Sequence, residues 1–473
     1  MQRTPLLLTL AALSFIPTLF FYMVGEEGIY TISTLEMWHS RQWFIQTLYG
    51  INLQRPPLMN WLAIPVAQLL GWLHVLIAIR LVSALATLGM AAWLYWLCRR
   101  LFADKDFALF ATLACLSLAD LLLYRGWLAY TDPLFACCTF GALATLWVSA
   151  VARQRGWLMA SVLLIGCALL TKAITAYIFY ATAIFVLLWQ RETRRFLLTP
   201  ASVLILASAL IVPYAWLSSL PQTSGQGTSM VQEIAVKLSA GDGLGYLLRL
   251  LTYPLENLFW LSPVALLAVY LLLRKRVTQA EPQRGNFRTA LFIAGLSILP
   301  YWLAPQGGIR YLLPVYPLIA LIGARIIWRA GDPARRLALN WFAAAIAFKF
   351  LFALVLYPYY QHHYRGENYV TTAHQIAART AGYPLYGRDL RSIGENIIGQ
   401  IDLDRLPLEP VKLPPASWDN GFWLGMTPDE LPGTLVEKYT VAKDDLYLIC
   451  RGAACQAAQS RGVFPVNEPL ADR

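Results

Sequence analysis

A chain of 473 residues that is 58% hydrophobic and only 14% charged, with a mean hydropathy of +0.51, is not an ordinary soluble domain, which carries about 25% charged residues. Its net charge of +11 is dispersed, with no basic run forming one face of a soluble domain, so nucleic acid is excluded as a partner. Apolar runs of about 18 or more residues recur without the short alternating segments of a barrel, which leaves an all-α polytopic membrane protein.

About eleven transmembrane helices are expected, near 5–24, 81–98, 107–124, 133–151, 157–171, 174–190, 201–219, 256–273, 289–304, 311–328 and 337–357. The first follows Arg3 and has too long an apolar core for a cleavable signal, so it reads as a retained span. The loops "CRRLFADK", "ARQRGW", "QRETRRF", "LRKRVTQAEPQR" and "RIIWRAGDPARR" are rich in Arg and Lys and belong on the cytoplasmic side. Alternation then puts 25–80, "YRGWLAYTD", "LTKA", 220–255, "APQGGIR" and everything after Tyr357 on the outer side. The N-terminus is expected in the cytoplasm and the C-terminal domain in the periplasm, with the chain in a bacterial inner membrane.

Two regions stand apart from the spans. In the first outer loop, 25–80, "IYTISTLEMWHSRQWF" has helical periodicity, and "PLMNWLAIPVAQLLGWL" is apolar but short for a span; both read as interfacial helices. The tail 358–473 reads as a small α+β soluble domain after a transmembrane domain 1–357. "TTAHQIAARTAG" suits a helix stopped by Gly382, and "TLVEKYTVAKDDLYLICRG" suits two strands around a "KDD" turn. Cys450 and Cys455 could pair if the tail lies in an oxidising compartment, while the other five cysteines suit apolar packing. His39, His74, His362 and His363 do not form a metal set.

The polar residues at span ends gather on the outer side: Glu26 and Glu27, Arg55, Arg80, Asp132, Lys172, and Arg310 with Tyr311. Charges beside a membrane segment are costly and usually mark a site. Arg55, Lys172, Arg310 and Arg80 are the groups to grip a phosphate or pyrophosphate, and a neighbouring carboxylate could take a proton from a hydroxyl. Plainer roles exist for the same residues: Asp132 before Pro133 suits a helix start, Arg80 a span anchor and Tyr311 an interfacial anchor. Lys349 and Asp120 fall inside predicted spans with no role assigned.

In order along the chain, Glu26-Glu27-Gly28-Ile29-Tyr30, Arg55-Pro56-Pro57-Leu58, Arg80-Leu81-Val82-Ser83-Ala84, Asp132-Pro133, Leu170-Thr171-Lys172 and Arg310 to Pro317 resemble the motifs of the membrane glycosyltransferases of GT-C type, the superfamily of protein O-mannosyltransferases and aminoarabinose–lipid A transferases. The resemblance spans roughly residues 1–330 and departs from the family's pattern in having Glu rather than Asp at 26 and "LTKAITA" in place of "LTKGP". It implies an inverting transfer of a sugar from a polyisoprenyl (undecaprenyl) phosphate to lipid A, an envelope glycan or a protein. Glu26, Glu27 and Asp132 are the implied catalytic acids, and either glutamate could be the base. Arg55, Lys172, Arg310, Tyr311 and Arg80 are implied to bind the donor phosphate, and Tyr30 and Asn60 the substrate. No cofactor is assigned, and a divalent cation stays open. The alternative is a transporter, flippase or non-catalytic binder of lipid-linked saccharides, against which stand the lack of a clear internal repeat and the clustering of charge at one face.

Overall fold

The computed structural model describes residues 3–53, 55–172, 174–219, 243–277, 279–305, 307–387, 390, 392–427, 433–442 and 444–460. In chain order, α1 (Arg3–Leu13) leads to α2 (Glu27–Ser40) and, past the hairpin β1 (Thr47–Leu48) and β2 (Ile51–Asn52), to α3 (Leu58–Leu70). The long α4 (Val75–Leu101) precedes α5 (Lys105–Leu116), α6 (Asp132–Ala152), α7 (Arg155–Thr171), α8 (Ala176–Trp189), α9 (Arg191–Leu197), α10 (Pro200–Ser208) and α11 (Ile211–Ser219). Then come α12 (Gly243–Trp260), α13 (Val264–Leu273), α14 (Arg284–Leu303), α15 (Tyr316–Arg329), α16 (Asp332–Leu351) and α17 (Tyr357–Tyr360). The C-terminal part holds α18 (Gly366–Arg379), β3 (Leu385–Gly387), α19 (Ser392–Asp404), β4 (Gly421–Gly425), β5 (Thr434–Val441), β6 (Asp444–Arg451) and α20 (Ala453–Ser460).

By packing, the chain divides into two compact units, one of Met1–Leu19 with Arg80–Ala353 and the other of Phe20–Ile79 with Leu354–Arg473. In the first unit, α6 and α7 pack as a hairpin, and Trp147 and Phe140 on α6 are fully buried. Asp104 starts α5 by accepting from the backbone N–H groups of Asp106 and Phe107 at 2.9 and 3.0 Å, which satisfies donors that a helix start leaves open. Prolines open α6, α10, α15 and α16, where a missing N–H costs nothing.

Six continuous helices among the described residues are long and apolar enough to cross a membrane, and a seventh span arises if α12 and α13, bent by 110°, count as one. The remaining expected spans map onto shorter or less uniformly apolar helices: α7 and α8, which are apolar but short, α5 with the turn after it, and α14. Leucine and aromatic side chains stay exposed along these helices, as a hydrocarbon solvent requires, and the chain is a multi-pass membrane protein. The segment 220–255, expected on the outer side, lies partly, at 220–242, outside the described residues.

In the second unit, a four-stranded sheet in the order β3-β4-β6-β5 pairs β3 parallel to β4 and the other neighbours antiparallel. The expected strand pair is β5 and β6, joined past Ala442, which takes a left-handed φ of 57°. The expected helix is α18, and Gly382 beyond it has φ 82°, a conformation glycine adopts without strain. Ile397, Ile398 and Ile401 of α19 and Phe422, Leu424, Leu446 and Leu448 of the sheet are buried. Cys450 and Cys455 form a disulfide that ties α20 to the end of β6. Helix α19 also packs against α2, so a stretch just after the first span shares a core with the C-terminal part.

Candidate functional site

Within the first unit, the antiparallel hairpin of α6 and α7 brings the start of one helix beside the end of the other. Asp132 sits in the first turn of α6 and Lys172 at the C-cap of α7, where each charge is favoured by the local helix dipole. Their side chains form a hydrogen-bonded ion pair across forty residues of sequence, with Asp132 almost fully buried. The Lys172 ammonium lies 5.3 Å from the centre of the Tyr311 ring. Arg310 lies over the same ring at 5.2 Å and donates to the Tyr311 hydroxyl at 3.2 Å. Tyr311 stacks on Tyr301, which stacks on Phe179. Lys172, Asp132, Arg310 and Tyr311 are therefore one cluster.

The loop carrying Arg310 is held from α12. Arg249 donates to the carbonyls of Ala304, Pro305 and Gly307. A Cβ on Gly307 would lie 2.3 Å from the Tyr301 carbonyl oxygen, so this close turn admits only glycine without a shift. The 126–131 segment before Asp132 is held from α4, where Ser83 donates to the Tyr130 carbonyl at 3.2 Å and Thr87 to the Gly126 carbonyl at 2.7 Å. Arg80, fully buried, donates to the carbonyls of Thr18 and Leu19 at 3.2 Å and lies over Trp127. The "RLVSA" stretch thus acts as scaffold for the end of the first span and for the Asp132 loop.

A neighbouring polar group escaped the sequence reading. After α5 the chain makes a π-turn, Leu121–Arg125, a wide turn that recurs at functional sites. Arg125 donates to both carboxylate oxygens of Asp120, at 2.5 and 2.6 Å, and the Tyr316 hydroxyl donates to one of them at 2.6 Å. Asp120, unassigned from sequence, is thereby paired. Lys349 is also fully buried; its ammonium has no hydrogen-bond partner among the described residues and lies 4.9 Å from the centre of the Trp127 ring.

In the second unit, the first-loop acids differ sharply. Glu27 opens α2, is fully buried, and accepts from the Val24 N–H at 2.7 Å, while Glu26 is exposed. Tyr30 is half-buried, one turn on along α2. Arg55 is exposed beyond β2. Asn60 is buried in a closed network: Gln46 donates to its carbonyl at 2.8 Å and its own amide donates to Thr34 at 3.1 Å and Ser33 at 3.4 Å. That network fastens α3 to α2.

The same unit gathers acids that the sequence reading passed over. Glu395 on α19 has its pKa pushed up to about 7 by burial and then by the charge of Glu26, with Arg55 acting in the opposite direction. Burial likewise raises Glu36 to about 7 even though Thr47 and the Gly50 N–H bond its carboxylate. Asp402 is raised well above the usual carboxylate range, first by burial. Sequence gives little sign of these groups, because a glutamate on a polar helix resembles any solvated surface residue. No cluster of metal-ligating side chains occurs among the described residues.

Residues 54–218 match the family model described as dolichyl-phosphate-mannose-protein mannosyltransferase. Asp132 and Lys172 fall inside that match; Glu26, Arg310 and Glu395 fall outside it. Two solved structures of a protein from Cupriavidus metallidurans are similar to the chain over nearly its whole length. ArnT bound to undecaprenyl phosphate has a TM-score of 0.66 at 16% identity, covering 94% of this chain and 97% of that one. The apo form of ArnT has a TM-score of 0.62 at 17% identity, covering 95% and 98%. The chain thus has the fold of ArnT over nearly its whole length, in keeping with the motif resemblance. A comparison with curated proteins gives no match.

Proposed function

We propose that this protein transfers a sugar from a polyisoprenyl-phosphate donor, undecaprenyl phosphate being the carrier that ArnT binds, to an acceptor hydroxyl at the outer face of the bacterial inner membrane. The observation that carries the reading is the cluster of Lys172, Asp132, Arg310 and Tyr311. Asp132 engages one of the three ammonium donors of Lys172, so Lys172 is held in place with donors left for a phosphate oxygen. Arg310 adds a planar fork suited to the same group. Aromatic faces around both cations keep them ordered while retaining their charge.

In the reaction, the acceptor oxygen bonds to the anomeric carbon from the side opposite the phosphate. The bond from that carbon to the phosphate oxygen breaks, and its electron pair leaves on the lipid phosphate. Lys172 and Arg310 stabilise the charge that develops there. A carboxylate takes the hydroxyl proton. Of the two candidates, the exposure of Glu26 and the inward hydrogen bond of Glu27 favour Glu26 as the base and Glu27 as the residue that sets the turn. Arg80 and Asn60, both buried in internal networks, are assigned to scaffold, and Arg55 and Tyr30 to substrate contacts. The N-terminus is assigned to the cytoplasm and the C-terminal domain to the periplasm. The acceptor is lipid A, another envelope glycan or a secreted protein.

Mass spectrometry of lipid A, surface glycans and periplasmic proteins tests this, comparing a deletion strain with strains complemented by wild type, Glu26→Gln or Lys172→Met. A sugar-sized mass lost on deletion, restored by wild type and by neither variant, is the expected result. An unchanged envelope, with lipid-linked sugar also unchanged, would remove the enzyme reading in favour of a carrier-binding protein.

A further inference from the structure

Beside the phosphate-gripping cluster, the first unit carries a polar group that the proposed reaction does not use. The π-turn Leu121–Arg125 is tied to the break between α12 and α13, because the Ala119 N–H donates to the Ser262 carbonyl at 2.9 Å. The Arg125 guanidinium lies over two rings, Tyr124 at 5.3 Å and Trp260, the last residue of α12, at 5.8 Å. All three side chains are half-buried. Arg125 uses only one corner of its guanidinium inside the protein: Nη1 alone donates to both oxygens of Asp120. Nε and Nη2, which make a side-on fork of two parallel donors, bond nothing among the described residues. This group adjoins the cluster on two sides. The 126–131 segment, held by Ser83 and Thr87, joins Arg125 to Asp132. Tyr316, which holds Asp120, follows directly on the turn Ile309–Val315 that carries Arg310 and Tyr311 and packs on α6.

We infer that Arg125, with the rings of Tyr124 and Trp260, is a specificity-determining subsite for the sugar of the donor, and that this sugar is an uncharged pyranose. This role rests on the proposed reaction. The charge balance separates the two groups. Lys172 and Arg310 are two cations set against one acid, Asp132, which suits a phosphate. At the subsite one cation faces one acid, Asp120, and the charge of Asp132 also reaches both. No net positive charge is left there for a second phosphate or for a uronic acid carboxylate. The ammonium of an amino sugar would meet the donors of the guanidinium. Hydroxyl oxygens need no counter-charge: two neighbouring ones can accept from Nε and Nη2, while the apolar face of the ring lies against an aromatic side chain. Asp120 then serves to fix the fork, and the Tyr316 hydroxyl fixes Asp120.

The test is carrier binding by the full-length protein in lipid nanodiscs, with no acceptor present. The probes are bare undecaprenyl phosphate and undecaprenyl phosphate bearing glucose, mannose, galactose, arabinose, 4-aminoarabinose or galacturonic acid. In wild type, at least one uncharged sugar should tighten binding about tenfold over the bare carrier. Arg125→Lys keeps a cation for Asp120 but has no fork; it should lose most of that gain and bind the bare carrier as wild type does. Trp260→Leu leaves the ion pair intact and should reduce the gain about threefold. A wild type that gains nothing from any uncharged sugar, or gains most from a charged one, overturns the inference. So does an Arg125→Lys protein that keeps the gain, or one that loses affinity for the bare carrier equally, which would make Arg125 a phosphate contact. Lys172→Met tests the proposed function separately, since it should weaken bare undecaprenyl phosphate. If that affinity is unchanged, the phosphate grip fails, whatever Arg125 does for the sugar.

Discussion

Particular buried acids of the two units are set in different ways. In the unit built on residues 80–353, each buried acid at the cluster has a basic partner: Asp132 has Lys172, and Asp120 has Arg125 with a tyrosine hydroxyl added. In the unit of 20–79 and 354 onward, the buried acids Glu395 and Asp402 are raised first by burial, and a second acid adds to it: Glu26 for Glu395 and Glu36 for Asp402. Opposite charges hold one another in the ionised form and fix geometry, which is what gripping a phosphate needs. A second acid adds to burial in favouring the protonated form, so such a group responds to small changes in its neighbours.

Breaking the first kind of cluster should have the largest effect. Asp120→Ala leaves Arg125, 16% exposed, without its carboxylate, and loss of one partner from a buried pair costs about 3–5 kcal/mol. Denaturant unfolding of the purified protein in detergent should show that loss, and an Asp120→Ala/Arg125→Met double variant should recover most of it.

In the second kind of cluster, removing an acid should stabilise. The folded pKa of Glu36, about 7, lies above the 4.5 of the free side chain, so the folded state holds a proton that the unfolded state has lost between those values. Stability therefore falls as pH rises through that window, by about 3 kcal/mol once both states are ionised. Glu36→Gln should flatten this slope and melt higher than wild type at pH 8, while matching it near pH 4.5. A wild-type melting temperature that rises across the window would contradict the burial assigned to Glu36.

The smallest effect is expected at the helix crossing. Gly28→Ala forces its methyl against the backbone at Glu395 and Asn396, and such overpacking costs about 1–3 kcal/mol. Gly156→Ala, where an added methyl meets nothing within 4 Å, is the control and should lose no stability. The expected pattern is a lower melting point and lower sugar transfer for Gly28→Ala alone.

Much of the candidate site was legible before any coordinates. Asp132, Lys172, Arg310 and Tyr311 are polar residues at the ends of apolar spans, and alternation of basic loops put them on one side of the membrane. Their pairing depends on two helices running antiparallel, which follows from a short "RQ" turn between two apolar runs. For Arg80 and Asn60, a polar residue near a span end reads alike whether it faces a ligand or an internal network, and packing adds that Arg80 bonds backbone carbonyls and Asn60 bonds the side chains of Gln46, Thr34 and Ser33. Arg125 was hidden in a loop because a π-turn has no sequence period. Glu395 gave no signal at all, since α2, the helix packed against α19, is hundreds of residues away.

The sequence by itself determined the solvent and the helical class. These follow from transfer free energies summed over runs of about twenty residues, which no tertiary contact can reverse. Only the tertiary structure decided which glutamate turns inward, which cations meet one aromatic ring, and that α19 closes on the acid turn at Gly28. Those outcomes rest on approaches of a few ångströms between distant segments, and a hydropathy pattern carries no information at that scale.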